Sequence, residues 1–335
     1  MNILSHQIPV CMIGIAGYGE KLSKLIANNP DLKLYSCYHP NITKAAAYSE
    51  TYGCNAFSTI KKSTEGVQAI VIATPDYTHY EYIDIAIDAK LHIFVEKPMV
   101  QTLQEARVLE KKLQNYESVF MVGHNMRHEK VFRYIKKEIE SGELGRLVSF
   151  QIFLSHGGAF NWDSKYWRSS EDLCAEGPLR VNGVHGSDIL EYLFGPIESV
   201  TAKMSSEYTK HGAPDSGAAM VKIGAAVGTI YTNWVTPSMN RFLFQFTNAT
   251  IDIDEFSKIT MRKGRDIDCQ KTPDLFMEFS RHDSKSEQLA EFVESVRDER
   301  KPETGLKEGI RALMFVEACN MSNEKGREVF LEELV

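Results

Sequence analysis

An α/β fold is predicted, with a parallel sheet wrapped by helices first and a mostly antiparallel open sheet after it. Three observations predict it. Through residue 122, short buried apolar runs alternate with helical patterns, which is how a parallel sheet covered on both faces reads. From residue 147 onward, apolar residues recur at every second position, as in strands with one covered face. The chain has 335 residues, 43% of them hydrophobic, which is enough for two separate cores.

The elements follow in order. Residues 9–15 read as a buried strand, and 20–28 as a helix stopped by Asn28-Asn29-Pro30. Next come a strand over 33–37 and a helix over 43–52, ended by Gly53. The apolar run 68–73 is a third strand, closed by Thr74-Pro75. Tyr82, Ile83, Ala86 and Ile87 make one apolar stripe, so 78–90 is a helix. A strand over 91–95, a helix over 103–113 and a strand over 118–122 complete the alternating region. A helix over 131–141 follows, with Gly142 as its C-cap. Half-exposed strands are then expected over 147–153, 197–204, 218–223, 228–234 and 241–247, and two helices over 286–298 and 307–324. The division between domains is expected near Gly123, giving 1–123 and 124–335.

Composition removes several classes of function. A net charge of −7 argues against a nucleic-acid partner, which wants a basic face, yet leaves room for a local basic pocket. Cys11, Cys37, Cys54, Cys174, Cys269 and Cys319 are scattered and form no CxxC, which fits reduced thiols rather than disulfides or zinc. No metal site is expected. No run approaches the ~18 apolar residues of a membrane span, and the first residues lack a signal-peptide pattern. A cytoplasmic protein with no membrane partner is expected.

Three segments carry chemistry. Leu91 to Pro98 is a buried strand ending in Glu96-Lys97-Pro98, and a lysine there sits where open α/β sheets bind ligands. Gly17-Tyr18-Gly19 supplies the first two glycines of a GxGxxG turn at a strand-to-helix junction, suited to a pyrophosphate. Leu22 then falls in the third position, and looser helix–sheet packing is expected there. After the second strand, Tyr38-His39-Pro40-Asn41 holds no carboxylate for ribose hydroxyls. Tyr38 is suited to stack on adenine, and His39 with Lys44 to face a 2′-phosphate. NADP is slightly favoured, and NAD bound without the usual acid stays open.

Gly17-Tyr18-Gly19, Thr74-Pro75-Asp76-Tyr77-Thr78-His79, Glu96-Lys97-Pro98, Gly123-His124-Asn125-Met126-Arg127 and Asn182-Gly183-Val184-His185-Gly186-Ser187-Asp188 occur in one order and spacing. In these motifs the chain resembles the glucose–fructose oxidoreductase/inositol dehydrogenase/MocA (Gfo/Idh/MocA) family, over nearly its whole length. The resemblance implies an N-terminal Rossmann dinucleotide-binding domain and a C-terminal α+β domain whose open sheet joins subunits into a homodimer or homotetramer. It also implies NAD(P)-dependent oxidation or reduction of a sugar, cyclitol or related polyol.

Carried over residue by residue, Lys97 and His185 lie beside the nicotinamide as catalytic residues. Thr74, Pro75 and His79 line the cofactor, with Glu96, and Asn125 and Arg127 border cofactor and substrate. Tyr166-Trp167-Arg168 matches a segment of the substrate pocket. One departure stands out. Many members carry Asp four residues before the motif His, where this chain has Val181, with Asn182 one place later.

Oxidising a secondary alcohol sends a hydride to nicotinamide and a proton to a base. His185, with an ordinary imidazole pKa of ~6.5, suits the base. Lys97 suits the reacting oxygen, whose developing negative charge it would stabilise. Asn182 and Asp188 are suited to hydroxyls, and Arg168, Arg180 or Arg127 to a carboxylate or phosphate. His156 and His282 are further pocket candidates. The missing Asp leaves one alternative open: a catalytically reduced relative that binds dinucleotide or sugar as a regulator.

Overall fold

The computed structural model describes residues 7–264, 274–280 and 283–335, and within them the chain forms two compact units. One comprises residues 1–125 with 285–310, and the other 126–284 with 311–335. The sequence pattern suggests a single cut near residue 123, whereas the first unit also takes in a stretch from late in the chain.

In the first unit, six strands lie parallel in the order β3-β2-β1-β4-β5-β6. They are β1 (Ile8–Ile13), β2 (Leu32–Tyr38), β3 (Asn55–Phe57), β4 (Ala69–Ile72), β5 (His92–Val95) and β6 (Phe120–Val122). This is the doubly wound order of a dinucleotide-binding sheet, with its switch point between β1 and β4. The central strands are apolar on both faces because helices cover both. β3 and the single turn α3 (Ile60–Ser63) are too short to leave a period in the sequence.

Local chemistry sets the helices of this unit. α1 (Tyr18–Asn28) buries Leu22, Ser23 and Ile26. α2 (Ile42–Tyr52) is capped by Asn41, whose Oδ1 accepts from the N–H groups of Thr43 (2.9 Å) and Lys44 (3.3 Å). It ends at Gly53, whose φ of 66° favours glycine. α4 (His79–Asp88) and α5 (Leu103–Lys112) follow, the latter opened by a Thr102–Glu105 capping box. α8 (Ser284–Arg297) packs Phe292 edge-on against Phe94 at 5.8 Å. The free edge of β6 is closed by Thr304. Its carbonyl accepts from Val122 N–H (2.8 Å), and its hydroxyl donates to Val122 O (2.7 Å).

The second unit is built on a nine-stranded sheet in the order β14-β13-β12-β11-β7-β10-β9-β8-β15. Among the described residues of this sheet, only β7 (Leu147–Ser155) and β10 (Ala226–Asn233) pair in parallel. β8 (Ser199–Ser205), β9 (Ser216–Ile223) and β11 (Met239–Phe246) match sequence expectations within two residues. β12 (Ala249–Asp254), β13 (Lys258–Lys263), β14 (Leu275–Glu278) and β15 (Val329–Phe330) extend the sheet beyond them.

Phe150, Ile152, Leu154, Ile230, Phe242 and Phe244 line the covered face. α7 (Val184–Phe194) lies close on it, and a Cβ at Gly186 would already touch Ile152 and Ile230 at 3.4 Å. On the opposite face Met220, Val227 and Tyr231 are exposed, and Tyr231 stacks on Phe153 at 5.1 Å. α6 (Lys130–Glu140) is followed by Gly142 at φ 77°. α9 (Leu306–Lys325) is the last long helix. No helix among the described residues is long and apolar enough to cross a membrane.

Candidate active site

The first unit brings its chemistry-bearing residues to the carboxyl ends of its strands. After β1 the chain turns at Gly14, where φ is 92° and a Cβ would lie 2.5 Å from the Ala73 backbone beyond β4. Gly19, in the first turn of α1, packs so tightly on this turn that a Cβ would sit 1.7 Å from Gly14 O. The glycine that lets helix approach strand is therefore Gly19, paired with Gly14 and with Ala16 between them. The sequence reading that gave the third position to Leu22 is corrected: Leu22 is core, and the packing at the turn is tight.

Gly17, at φ 59°, has nothing within 4 Å of its Cβ position and makes no side-chain cap on α1. An open helix N-terminus on a turn with no side chain in the way fits a pyrophosphate. The residues present thus fit a bound dinucleotide.

The β4 turn is tied down locally. The Thr78 hydroxyl bridges Thr74 Oγ1 (2.7 Å) and Pro75 O (2.8 Å). His79 is buried, with Nε2 facing Thr74 O (2.8 Å) and Nδ1 facing Pro98 O (3.0 Å) and Met99 O (3.3 Å). Burial holds its pKa below the usual imidazole range. His79 therefore fastens the turn after β4 to the turn after β5, and both ring nitrogens are engaged by carbonyls.

Glu96 follows β5 and is 7% exposed. Its Oε2 accepts from Lys97 N–H (3.3 Å), while Oε1 is buried without a hydrogen-bond partner. Burial pushes its carboxyl up to about 7, partly opposed by the charges of Lys97 and Lys285 and by the Tyr18 hydroxyl. Gly123, after β6, leaves room for this carboxyl: a Cβ there would lie 2.8 Å from Oε1.

Gln288 of α8 was not signalled as functional by sequence. With its amide turned to accept, it takes His124 N–H (3.0 Å) and Asn125 N–H (3.2 Å), fixing the loop that carries Asn125. The available signal was a polar residue beside the apolar stripe of Leu289, Phe292 and Val293.

At the end of β2, Tyr38 meets Tyr82 edge-on at 5.8 Å. His39 Nδ1 accepts from Asn41 N–H (2.9 Å). Burial and then the Lys44 charge hold its pKa down. His39 is thus neutral near pH 7 and presents an Nε2 donor, which leaves Lys44 as the cation of this corner.

In the second unit, one wide helical turn, Leu179–Gly183, runs directly into α7. Asn182 and His185, three positions apart, are its part-exposed residues, with Val181, Gly183 and Val184 buried around them. Val181 sits in an apolar cluster with Ala159, Cys174, Ala213 and Trp234, against Trp162 and Trp167. A carboxylate in its place would be buried among aromatic rings. Asn182 Oδ1 accepts from Trp234 Nε1 (3.4 Å), and its Nδ2 donates to Leu154 O (3.5 Å).

Arg127 and Asp188, both expected at the substrate, are joined to each other. Arg127 Nη2 lies 2.7 Å from Asp188 Oδ1 in a buried pair. Arg180 likewise pairs with Glu176 at 3.3 Å, away from solvent. Trp167 and Arg168 lie together, the guanidinium 5.1 Å from the indole centre. His156 stacks on Trp234 at 6.5 Å. His282 and Cys269 lie outside the described residues, and the other five cysteines are buried free thiols.

Residues 8–124 match the oxidoreductase family with an NAD-binding Rossmann fold, and residues 132–252 match the GFO/IDH/MocA C-terminal domain. Glucose-6-phosphate 3-dehydrogenase of Bacillus subtilis (strain 168) is 25% identical over 199 residues, 58% of this chain and 57% of that protein. Levoglucosan dehydrogenase of Pseudarthrobacter phenanthrenivorans is 29% identical over 45% of this chain and 39% of its own length. The chain thus spans only about half or less of these two relatives. The B. subtilis scyllo-inositol 2-dehydrogenase (NADP(+)) IolW is 23% identical over 98% of both chains.

Among solved structures, levoglucosan dehydrogenase in complex with NADH and levoglucosan gives a TM-score of 0.88 at 19% identity, covering 97% of this chain and 99% of that one. An NAD binding oxidoreductase from Klebsiella pneumoniae gives 0.85 at 18%, with the same coverage. These structural likenesses show the fold.

Proposed function

The chain belongs to the Gfo/Idh/MocA oxidoreductase family, and from that premise we propose that it moves a hydride between a nicotinamide dinucleotide and a secondary alcohol or ketone of a sugar, cyclitol or related polyol. One observation carries the reading. Lys97 follows a strand of the same sheet edge that holds the open glycine turn at the N-terminus of α1. When bound, NAD or NADP supplies the hydride acceptor or donor.

The chain's own residues do the rest. Gly17 and Tyr18 face the pyrophosphate, and Gly19 seats the helix against the turn so that they can. Tyr38 with His39 faces the adenosine end, and Thr74, Pro75, Glu96 and Asn125 shape the nicotinamide end. His79 acts through the turns it ties together. Lys97 donates to the reacting oxygen and steadies its negative charge. His185 accepts the hydroxyl proton or returns it. Asn182, Trp167 and Arg168 hold the substrate, whereas Arg127 and Asp188 serve by bracing one another.

Lys44 and the His39 donor support NADP as the favoured cofactor. The exposed apolar patch of Met220, Val227 and Tyr231 supports a homodimer or homotetramer through the open sheet face. The buried free thiols support a reducing, cytoplasmic setting.

Lys97→Met tests the central assignment. Turnover should fall on the order of 10²-fold or more, while the affinity for NADH and NADPH, read by fluorescence titration, stays within a few-fold. Wild-type turnover in this variant would remove Lys97 from the reaction.

A further inference from the structure

We propose that the aromatic-walled cluster of the second unit is a subsite for an anionic substituent, a carboxylate or a phosphate, on the carbohydrate substrate, and that Arg168 reads it with His156 beside it. The proposal rests on the reading of the protein as acting on sugar-like molecules, and adds a substrate class to it.

Elimination singles out Arg168. Of the three arginines suited by sequence to an anion, Arg127 is neutralised by Asp188 and Arg180 by Glu176. Among the described residues Arg168 forms no ion pair. Its guanidinium instead lies over Trp167 (5.1 Å to the ring centre) and Tyr166 (5.8 Å). Stacking of this kind engages the face of the cation and leaves its in-plane N–H groups unspent. The Nε donor is withdrawn from solvent and has no hydrogen-bond partner. A buried donor without an acceptor is costly, and a ligand oxygen in the guanidinium plane would supply one. The planar fork of Arg matches carboxylate and phosphate geometry.

The surroundings favour a sugar-borne anion. His156 Nδ1 accepts from Gly158 N–H (3.0 Å), which leaves the ring proton on Nε2 as a neutral donor. Burial and then the nearby Arg168 charge hold its pKa down, so it adds a hydrogen bond without a second charge. His156 lies against Trp162 and Trp234, whose rings are 4.8 Å apart; Trp234 is buried beneath, and the part-exposed Trp162 supplies an apolar face for the CH groups of a sugar ring. Trp234 also donates to Asn182, one turn before His185 on the same face. The subsite is therefore continuous with the residue assigned to the proton.

The test is calorimetric titration of the full-length protein, alone and with saturating NAD+. Matched ligands are D-glucose, D-glucose 6-phosphate and D-glucuronate, together with myo-inositol and its monophosphate. At least one charged ligand should bind about tenfold or more tightly than its neutral counterpart. Whether the phosphate or the carboxylate does so identifies the anion. Arg168→Met keeps the packing stem and should abolish the discrimination, while Arg168→Lys should restore part of it. No preference for any charged ligand in wild-type protein overturns the proposal, and so does a preference unchanged in folded Arg168→Met. Binding is read without turnover. Charge discrimination in a protein that reduces no dinucleotide would sink the oxidoreductase reading and leave the subsite standing.

Discussion

Arg127 grips Asp188 across 61 residues of sequence, through Nε at 3.0 Å from both carboxylate oxygens and Nη2 at 2.7 Å from one. The pair ties the segment following Asn125 to α7 within the second unit, and the guanidinium also covers the Tyr192 ring at 5.2 Å. Removing one partner strands the other charge away from water. Arg127→Ala should therefore cost about 3–5 kcal/mol of stability, measured by urea unfolding. The double change Arg127→Met with Asp188→Leu should recover much of it. An Arg127→Ala protein as stable as wild type, with a raised KM instead, would return Arg127 to the substrate.

Glu96 gives a pH-dependent prediction. Its carboxyl is raised by burial from an ordinary 4.5 to about 7. Between those values the native state keeps a proton that the unfolded chain has lost. This group's effect on stability is then least harmful below the unfolded value, and stability falls as pH rises through the window. Glu96→Gln should stabilise the protein near pH 8 on the order of 1–3 kcal/mol and change little near pH 4. Equal melting shifts at the two pH values would show that the carboxyl is ionised throughout.

Gly19 and Gly17 should respond differently to alanine. A methyl at Gly19 meets the Gly14 carbonyl oxygen at 1.7 Å, so the turn must shift. A methyl at Gly17 meets nothing within 4 Å and bears only the strain of its backbone, φ 59° with ψ −113°, on the order of 1–3 kcal/mol. In NADH and NADPH titrations Gly19→Ala should lose the larger share of affinity. The reverse order would mean that Gly17, not Gly19, sets the turn.

His185→Asn should slow turnover by on the order of 10²–10⁴-fold and flatten the acid limb of the pH–rate profile. Asn182→Ala should act mainly on KM. An amide does not titrate, but this one also positions Trp234 at 3.4 Å. An unchanged acid limb in folded His185→Asn protein would move the proton to Lys97.

The alternating first unit was legible because each buried run is a central strand flanked by helices of clear period. β3 and α3 were not, at three and four residues. α7 hid for a different reason. Eight of its eleven residues are buried, so it lacks the polar face that reveals a surface helix. The site was legible where chemistry is local, as at Glu96-Lys97-Pro98. Pairings between distant positions were not: nothing near Asp188 in sequence announces Arg127, and nothing near Gly123 announces the Glu96 carboxyl it makes room for. The turn glycines were visible, but which one packs helix on strand depends on where β1 stops. β1 ends at Ile13, two residues before the apolar pattern does.

The closure of β6 by Thr304 bears on how the protein is made. As the chain is synthesised, residues 1–125 emerge with all six strands of their sheet but with one edge bare and the α8 side chains against Phe94 still missing. An uncovered parallel edge invites pairing with other chains. Everything needed to complete this unit arrives only with residues 285–310, after most of the second unit has left the ribosome. A fragment cut at residue 125 should therefore be sticky and poorly soluble, and it should regain solubility when residues 284–310 are joined back to it through a flexible linker.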